Sequence, residues 1–198
     1  MTGISSAQAF TDSNLPIVII NTDINPDTSL PFDIPDDPRV LATMKIIKHP
    51  DGTRNYLTDE SNAGYLDYNG RISIEIRGSS SQDFPKKPYG LTTLQADDSS
   101  NNNVSLLGMP SENDWVLNSL AYDPSLIRDY LSYNLARQMG DYAPRTQYCE
   151  VVLNSEYVGL YILQEKIKAD SNRVNILKIA AADVATPNLT GGYITKAD

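Results

Sequence analysis

Arg71–Gly90 reads Arg-Ile-Ser-Ile-Glu-Ile-Arg-Gly-Ser-Ser-Ser-Gln-Asp-Phe-Pro-Lys-Lys-Pro-Tyr-Gly. Its first seven residues alternate: Ile72, Ile74 and Ile76 fall on one side, and Arg71, Ser73, Glu75 and Arg77 on the other. That is the period of a half-buried strand whose polar side faces water. Gly78 and the serines Ser79, Ser80 and Ser81 then break the strand, leaving backbone N–H groups and hydroxyls outside any regular ladder. Lys86 and Lys87 follow, before a second alternating run over Tyr89–Gln95. A hairpin with Arg77 at its start, small polar residues at its tip and two lysines on its return suits an anion, phosphate above others. The same composition also describes a plain solvated loop, and the spacing matches neither a P-loop nor a dinucleotide fingerprint.

Upstream, Tyr65–Tyr68 precedes Asn69-Gly70, a strong two-residue hairpin signal. Val40–Lys48 alternates loosely into Pro50-Asp51-Gly52, predicting a hairpin that returns through Arg54–Leu57. Leu15–Asn21 is a short apolar run that reads as a buried strand, and residues 1–14 read as a disordered lead-in. The first hundred residues are thus expected to form an antiparallel meander. Thr22–Pro38, dense in Asp and Pro, cannot continue a regular element. Asp23, Asn25 and Asp27 have the spacing that opens a calcium loop. Pro26 interrupts it, however, no Gly stands at the sixth place, and Ile34 occupies the position of the bidentate Glu.

Asp123 followed by Pro124 opens the best helix, which is expected to run to Met139 with Gly140 as its stop. Ile127, Leu131 and Leu135 recur at i, i+4 and i+8, a stripe expected to pack on the sheet with Arg128 beside it. Gln147–Leu153 and Tyr157–Lys168 read as two strands joined by Asn154-Ser155-Glu156. Glu165 lies in an otherwise apolar stretch of the second; if it sits near the core it needs a cation, for which Lys86 and Lys87 are the candidates, and otherwise it pairs with neighbouring Lys166 or Lys168 in solvent. The fold class that follows is α+β: an antiparallel β-sheet meander with one main packed helix. Trp115 is its expected core anchor.

A hydrophobic content of 40% over 198 residues is enough to bury a proper core. The formal net charge of −9 argues against a nucleic-acid surface. Cys149 is the sole cysteine and His49 the sole histidine, which excludes an internal disulfide, cysteine-based metal clusters and the usual histidine-based catalytic pairs. No apolar run reaches the length of a membrane span, and the start carries no visible export signal. Abundant Asn, Ser, Thr and Tyr with little lysine lean toward an extracytoplasmic or cell-surface origin.

Six segments in order resemble the CotH kinase family, the spore coat protein H-like atypical protein kinases. They are Arg77–Gly90, Val104–Trp115, Asp123–Arg128, Tyr142–Arg145 (Tyr-Ala-Pro-Arg), Gly159–Lys168 (Gly-Leu-Tyr-Ile-Leu-Gln-Glu-Lys-Ile-Lys) and Leu189–Ile194. The resemblance implies a kinase nucleotide-binding lobe, ATP with Mg2+ as cofactor, and transfer of the γ-phosphate to Ser or Thr of a secreted or surface protein. On the matching positions, Arg77, Ser79, Ser80 and Ser81 approach the phosphates. Lys87 or Lys86 contacts phosphate, Glu165 orients that lysine, and Arg128 is a supporting cation.

The family's acidic motifs, resembling Asp-Gly followed by His-Asn-Tyr and Trp-Asp-Tyr-Asp, do not occur in this sequence, and Trp115 is followed by Val116. Residues 15–198 are therefore expected to be the amino-terminal, nucleotide-cradling part of such a domain, with the catalytic acids downstream and no metal site in this chain. Two alternatives stand beside it: a non-catalytic adhesion module of CotH-like fold, and a carbohydrate-binding β domain with Tyr65 and Tyr68 as stacking platforms.

Overall fold

The period-2 pattern at Arg71–Ile76 continues backward through the Asn-Gly pair rather than turning there. In a computed structural model, which describes residues 9–186, 188–190 and 192–194, Leu66–Ile76 is one unbroken strand. In chain order the strands are β1 (Asp12–Ser13), β2 (Ile17–Thr22), β3 (Val40–Ile47), β4 (Asn55–Tyr56), β5 (Leu66–Ile76), β6 (Tyr89–Leu94), β7 (Asp114–Asn118), β8 (Thr146–Leu153) and β9 (Glu156–Glu165). One α-helix, α1 (Arg128–Gln138), precedes β8.

Gly70 stays inside β5 because Tyr68, two residues earlier on the same face, folds over it. A Cβ on Gly70 would stand 2.6 Å from the Tyr68 hydroxyl, which donates to Arg71 O at 3.0 Å. The glycine makes room for a ring.

Seven strands close into a barrel in the order β2-β3-β5-β6-β7-β9-β8, shut by the parallel pairing of β2 with β8. This corrects the expected fold class. The molecule is not an α+β lobe with an open meander and a packed helix; it is mostly β, and the core lies within the barrel. Closure removes the sheet edges and lets every alternate residue point at one interior. Val18, Ile20, Met44, Ile72, Ile74, Leu91, Trp115, Leu117, Cys149, Tyr161 and Leu163 fill it. Burial pushes the Cys149 thiol up to about 12, so it packs as a small apolar group.

Ile17, Ile19, Ile47 and Val152 point outward into a second, small cluster capped by Phe10, Leu57, Tyr65 and Leu66. Of the expected lead-in, 1–14, residues 1–8 lie outside the described residues, and Asp12–Ser13 pair with Asn55–Tyr56. That pairing replaces the predicted return of Arg54–Leu57 onto β3. Asp23 accepts from Arg71 at 2.7–2.8 Å, which gives the imperfect calcium-like spacing a structural use. His49 closes its turn against Thr53 and Asp59 and stacks on Tyr65.

The helix starts later than its predicted cap. Asp123 accepts from the Ser125 amide and hydroxyl and from the Arg128 amide, and with Leu126 at φ +60° this turn feeds the first helical residue. Gly140, at φ +93°, ends the helix as expected, with Asp141 N donating to Ala136 O and Gly140 N to Arg137 O, both at 3.1 Å. The facing of α1 is the reverse of the expectation. Ile127, Leu131 and Leu135 are 53%, 60% and 55% exposed, and no helix residue is buried. The barrel's outer wall here carries Asn118 and Gln164, so the helix turns Asp129, Tyr133 and Arg137 inward, the i, i+4, i+8 set of its other side. Among the described residues no helix is long and apolar enough to cross a membrane.

Candidate functional site

Beyond β5 the chain makes a tight turn. Gly78 adopts φ +102°, and a Cβ there would fall 2.0 Å from the Ser81 hydroxyl, which leans back over it. Residues Ser80–Asp83 form a short 3-10 turn. Gln82 Nε2 donates to Gly78 O at 2.7 Å and to Asp36 Oδ1 at 2.8 Å, and Lys87 Nζ donates to Gln82 O at 2.5 Å. Lys86 Nζ donates to Leu160 O and lies 4.5 Å over the Tyr161 ring. Desolvation lowers the Lys86 pKa, with Glu150 and Cys149 opposing. Both lysines therefore brace backbone, and neither lines a hollow with Arg77.

Arg77 continues the outward row of Arg71, Ser73 and Glu75, and its side chain makes no ion pair or hydrogen bond among the described residues. It borders two hollows. The first, about 450 Å³, is lined by Arg77, Gly78, Ser81, Asn118, Asp123, Arg128 and Asp129 among others, so it brings together three residues singled out by sequence: Arg77, Ser81 and Arg128. Ser79 and Ser80 are exposed and stand outside it. Arg128 pairs with Asp123 at 3.5 Å. The Asp123 carboxyl is held down to about 2, first by the Ser125 hydroxyl and then by the Arg128 and Ser125 amides. Asp129 accepts from Asn118 Nδ2 at 2.8 Å.

The second hollow, about 470 Å³, is lined by Arg77, Val116, Tyr133, Gln164, Glu165, Lys166, Ile167 and Ile194. Its walls are largely apolar, with two cations at the rim. Burial, with Asp129 adding to it, raises the Tyr133 hydroxyl.

Glu165 is fully buried, but its partners are not the hairpin lysines. Arg145 Nη1 reaches Oε1 at 3.1 Å, Arg145 N donates to Oε2 at 2.9 Å, and Arg173 Nη1 reaches Oε1 at 3.0 Å. Arg173 stacks on Trp115 at 4.9 Å. Glu165 thus ties the start of β8 to the end of β9 and to the following loop. The nearby basic residue Lys168 is held by Glu112 at 2.6 Å and Asp114 at 2.8 Å.

Sequence reasoning missed Asn118, Asp129, Tyr133 and Gln164 as lining residues, and Arg145 and Arg173 as the partners of Glu165. Gln164 had a signal: it is the polar residue on the outward side of β9, opposite Val116. Arg145 closes the Tyr-Ala-Pro-Arg segment. Nothing local marks Arg173. The sugar-stacking tyrosines are engaged elsewhere, Tyr68 in the core and Tyr65 against His49.

Comparison with known proteins supplies the family. A family model described as CotH kinase protein matches residues 74–198, which includes the Arg77 turn, both hollows and α1. Inner spore coat protein H of Bacillus subtilis (strain 168) is 28% identical over 155 residues, covering 78% of this chain and 35% of that protein. The chain thus spans about a third of the length of that curated relative. With most of its residues matched by the family model, this chain belongs to the CotH family.

Proposed function

We propose that this chain is the ATP-cradling part of a CotH-type phosphotransferase acting on Ser or Thr of a surface protein. The observation that carries the reading is the position of Arg77, a cation unpaired among the described residues and standing between a hollow of mixed lining that holds Ser81, Asp123, Arg128 and Asp129 and a largely apolar one. In this reading the triphosphate lies in the first hollow against Arg77, Arg128 and Ser81, and the base lies beyond Arg77 against Val116, Tyr133 and Ile167. Guanidinium groups hold phosphate oxygens in pairs, and phosphoryl transfer is chiefly positioning and charge stabilisation.

The residues fit a magnesium ion in one respect. Mg2+ takes one or two carboxylates plus substrate phosphates, and Asp129 borders the cleft while accepting a hydrogen bond from Asn118, whereas Asp123 is engaged by Ser125 and Arg128. Bound there, the ion would neutralise phosphate charge, leaving Arg77 and Arg128 to orient the nucleotide. The relative is named a spore coat protein, and on that likeness we place this chain outside the cytoplasm or at a surface.

A non-catalytic binding module is the competing reading, and one observation favours it. Among the described residues Lys86 and Lys87 hold main-chain carbonyls and Glu165 holds arginines, so the lysine–carboxylate pair used by kinases is not assembled here. Calorimetric titration of Mg-ATP into the full chain separates the two. The proposal expects measurable binding that falls about tenfold or more in Arg77→Ala, the loss of a charge-assisted contact. No binding, or equal binding by the variant, would favour the module.

A further inference from the structure

The seam that closes the barrel has an outer face of its own. Ile19 and Asn21 on β2 alternate with the interior residues Val18 and Ile20, and Ile19 pairs in register with Val152 of β8, which is also turned outward. The turn over Leu57–Ser61 and the tip of the β8–β9 hairpin stand beside this floor, and together they border two adjoining hollows. One, about 220 Å³, is lined by Ile19, Asn21, Leu57, Glu60, Val152 and Ser155. The other, about 350 Å³, shares Leu57, Val152 and Ser155 and adds Phe10, Glu156 and Tyr157 among others. Neither has a residue in common with the hollows beside Arg77. The hairpin tip is fixed. Asn154 and Ser155 stand at φ +49° and +69°, a left-handed pair that serine enters only at a cost, and Asn154 Oδ1 accepts from Thr22 N at 2.9 Å, tying the tip to the end of β2. The Tyr157 ring is fixed as well: it stacks on Phe10 at 4.2 Å and 6°, donates to Glu150 Oε2 at 2.7 Å, and remains 44% exposed. By contrast, the side chains of Asn21, Ser155 and Glu156 are exposed and make no hydrogen bond or ion pair among the described residues.

We propose that this groove binds an N-acetylated hexosamine, at a site separate from the nucleotide reading and not dependent on it. An aromatic ring already held in place offers a flat apolar surface to the C–H face of a pyranose with little left to order. Glu60 and Glu156 can only accept, and sugar hydroxyls supply the donors. Asn21 and Ser155 can also donate, which calls for an acceptor such as the acetamido carbonyl. The acetamido methyl suits the aliphatic floor of Ile19, Leu57 and Val152. Other ligand classes fit less well. The two carboxylates repel phosphates. A lysine- or arginine-rich peptide brings donors alone and leaves the donating groups of Asn21 and Ser155 idle, and Glu60 already has Lys45 at 3.5 Å. Addition of a peptide strand is closed, because β2 and β8 are each paired on both edges.

The test titrates chitotriose, the linear trimer of N-acetylglucosamine, into the full chain and follows backbone amide NMR. Cellotriose, with hydroxyls in place of the acetamido groups, and trilysine serve as comparisons. Saturable shifts with chitotriose are expected at Asn21, Leu57, Val152, Ser155 and Tyr157 and not beside Arg77, with binding about fivefold or more tighter than that of cellotriose. Tyr157→Ala removes the platform and should weaken chitotriose binding about tenfold, whereas Tyr157→Phe keeps the ring and should stay within about twofold. Ser155→Gly tests the tip separately, because glycine suits φ +69° and the fold is retained while the hydroxyl is lost. Binding about fivefold weaker is expected there. An absence of saturable shifts with chitotriose, shifts confined to other residues, or unchanged binding by both Tyr157→Ala and Ser155→Gly overturns the site. Cellotriose binding as tightly as chitotriose overturns the acetamido assignment, and trilysine binding more tightly than either sugar overturns the sugar reading in favour of a basic peptide.

Discussion

Inside the barrel Trp115, Tyr161, Ile72, Ile74 and Leu117 are sealed from water, whereas on the flank under α1 the contacts are polar and two hollows persist. The interior is held by shape and apolar area. The flank is held by single bonds: Asn118 to Asp129, Asp123 to the Arg128 amide, and Arg137 to the carbonyls of Ala143 and Pro144. A wall built this way leaves the Arg77 guanidinium exposed for a ligand to use. Stability and the candidate site therefore occupy different faces of the same strands, with β7 and β9 carrying both through their alternation.

Substitutions that separate the two regions should differ widely in cost. Trp115→Ala empties the largest interior position and should destabilise the chain by about 3–5 kcal/mol in denaturant unfolding. Glu165→Ala strands Arg173 without its buried counter-ion and should cost about 3 kcal/mol or more, despite its place beside the second hollow. A small loss there would mean that the arginine cluster is solvated.

The pH response sharpens the comparison on the flank. Asp123 has its pKa depressed to about 2, so its charged bonds to Ser125 and Arg128 stabilise the fold above the ordinary carboxylate range. That contribution should disappear as pH falls through the folded value, between roughly pH 4 and pH 2. Asp123→Asn, followed by thermal unfolding across pH, should be less stable than the parent above pH 5 and converge with it near pH 2. A constant gap would place the stabilisation elsewhere. The smallest effect is expected at Leu131, 60% exposed on α1, where Leu131→Ala should change stability by no more than about 0.5 kcal/mol. A cost of core size would show that the helix packs as its stripe first implied.

What could be read from residues follows the same division. Strands over Arg71–Ile76, Tyr89–Leu94 and the β8/β9 pair were legible because alternation is a local signal, and Trp115 and Cys149 announced the core. Barrel closure was not, because it depends on Ile17–Ile20 pairing with Glu150–Leu153 far along the chain. Asn69-Gly70 misled because turn chemistry and the need to clear a path for Tyr68 use the same residue type. The Ile127, Leu131 and Leu135 stripe misled for a different reason: periodicity reports which side of a helix is apolar, not what that side meets. At the site, Arg77, Ser81 and Arg128 were legible as a basic and polar set and do converge on one cleft. Ser79 and Ser80 stand outside that cleft, and the lysines, assigned from motif position and charge, are held by backbone carbonyls that no pattern displays.

The most direct test of Arg77 as the junction of the site is to map Mg-ATP onto the chain by backbone amide NMR. Saturable shifts are expected on both sides of it, at Gly78, Ser81 and Asn118 in the first hollow and at Val116, Gln164 and Ile167 in the apolar one, with the barrel interior unmoved. Shifts confined to the surroundings of Lys86, Gly159 and Leu160, or no saturable shifts at all, would contradict it.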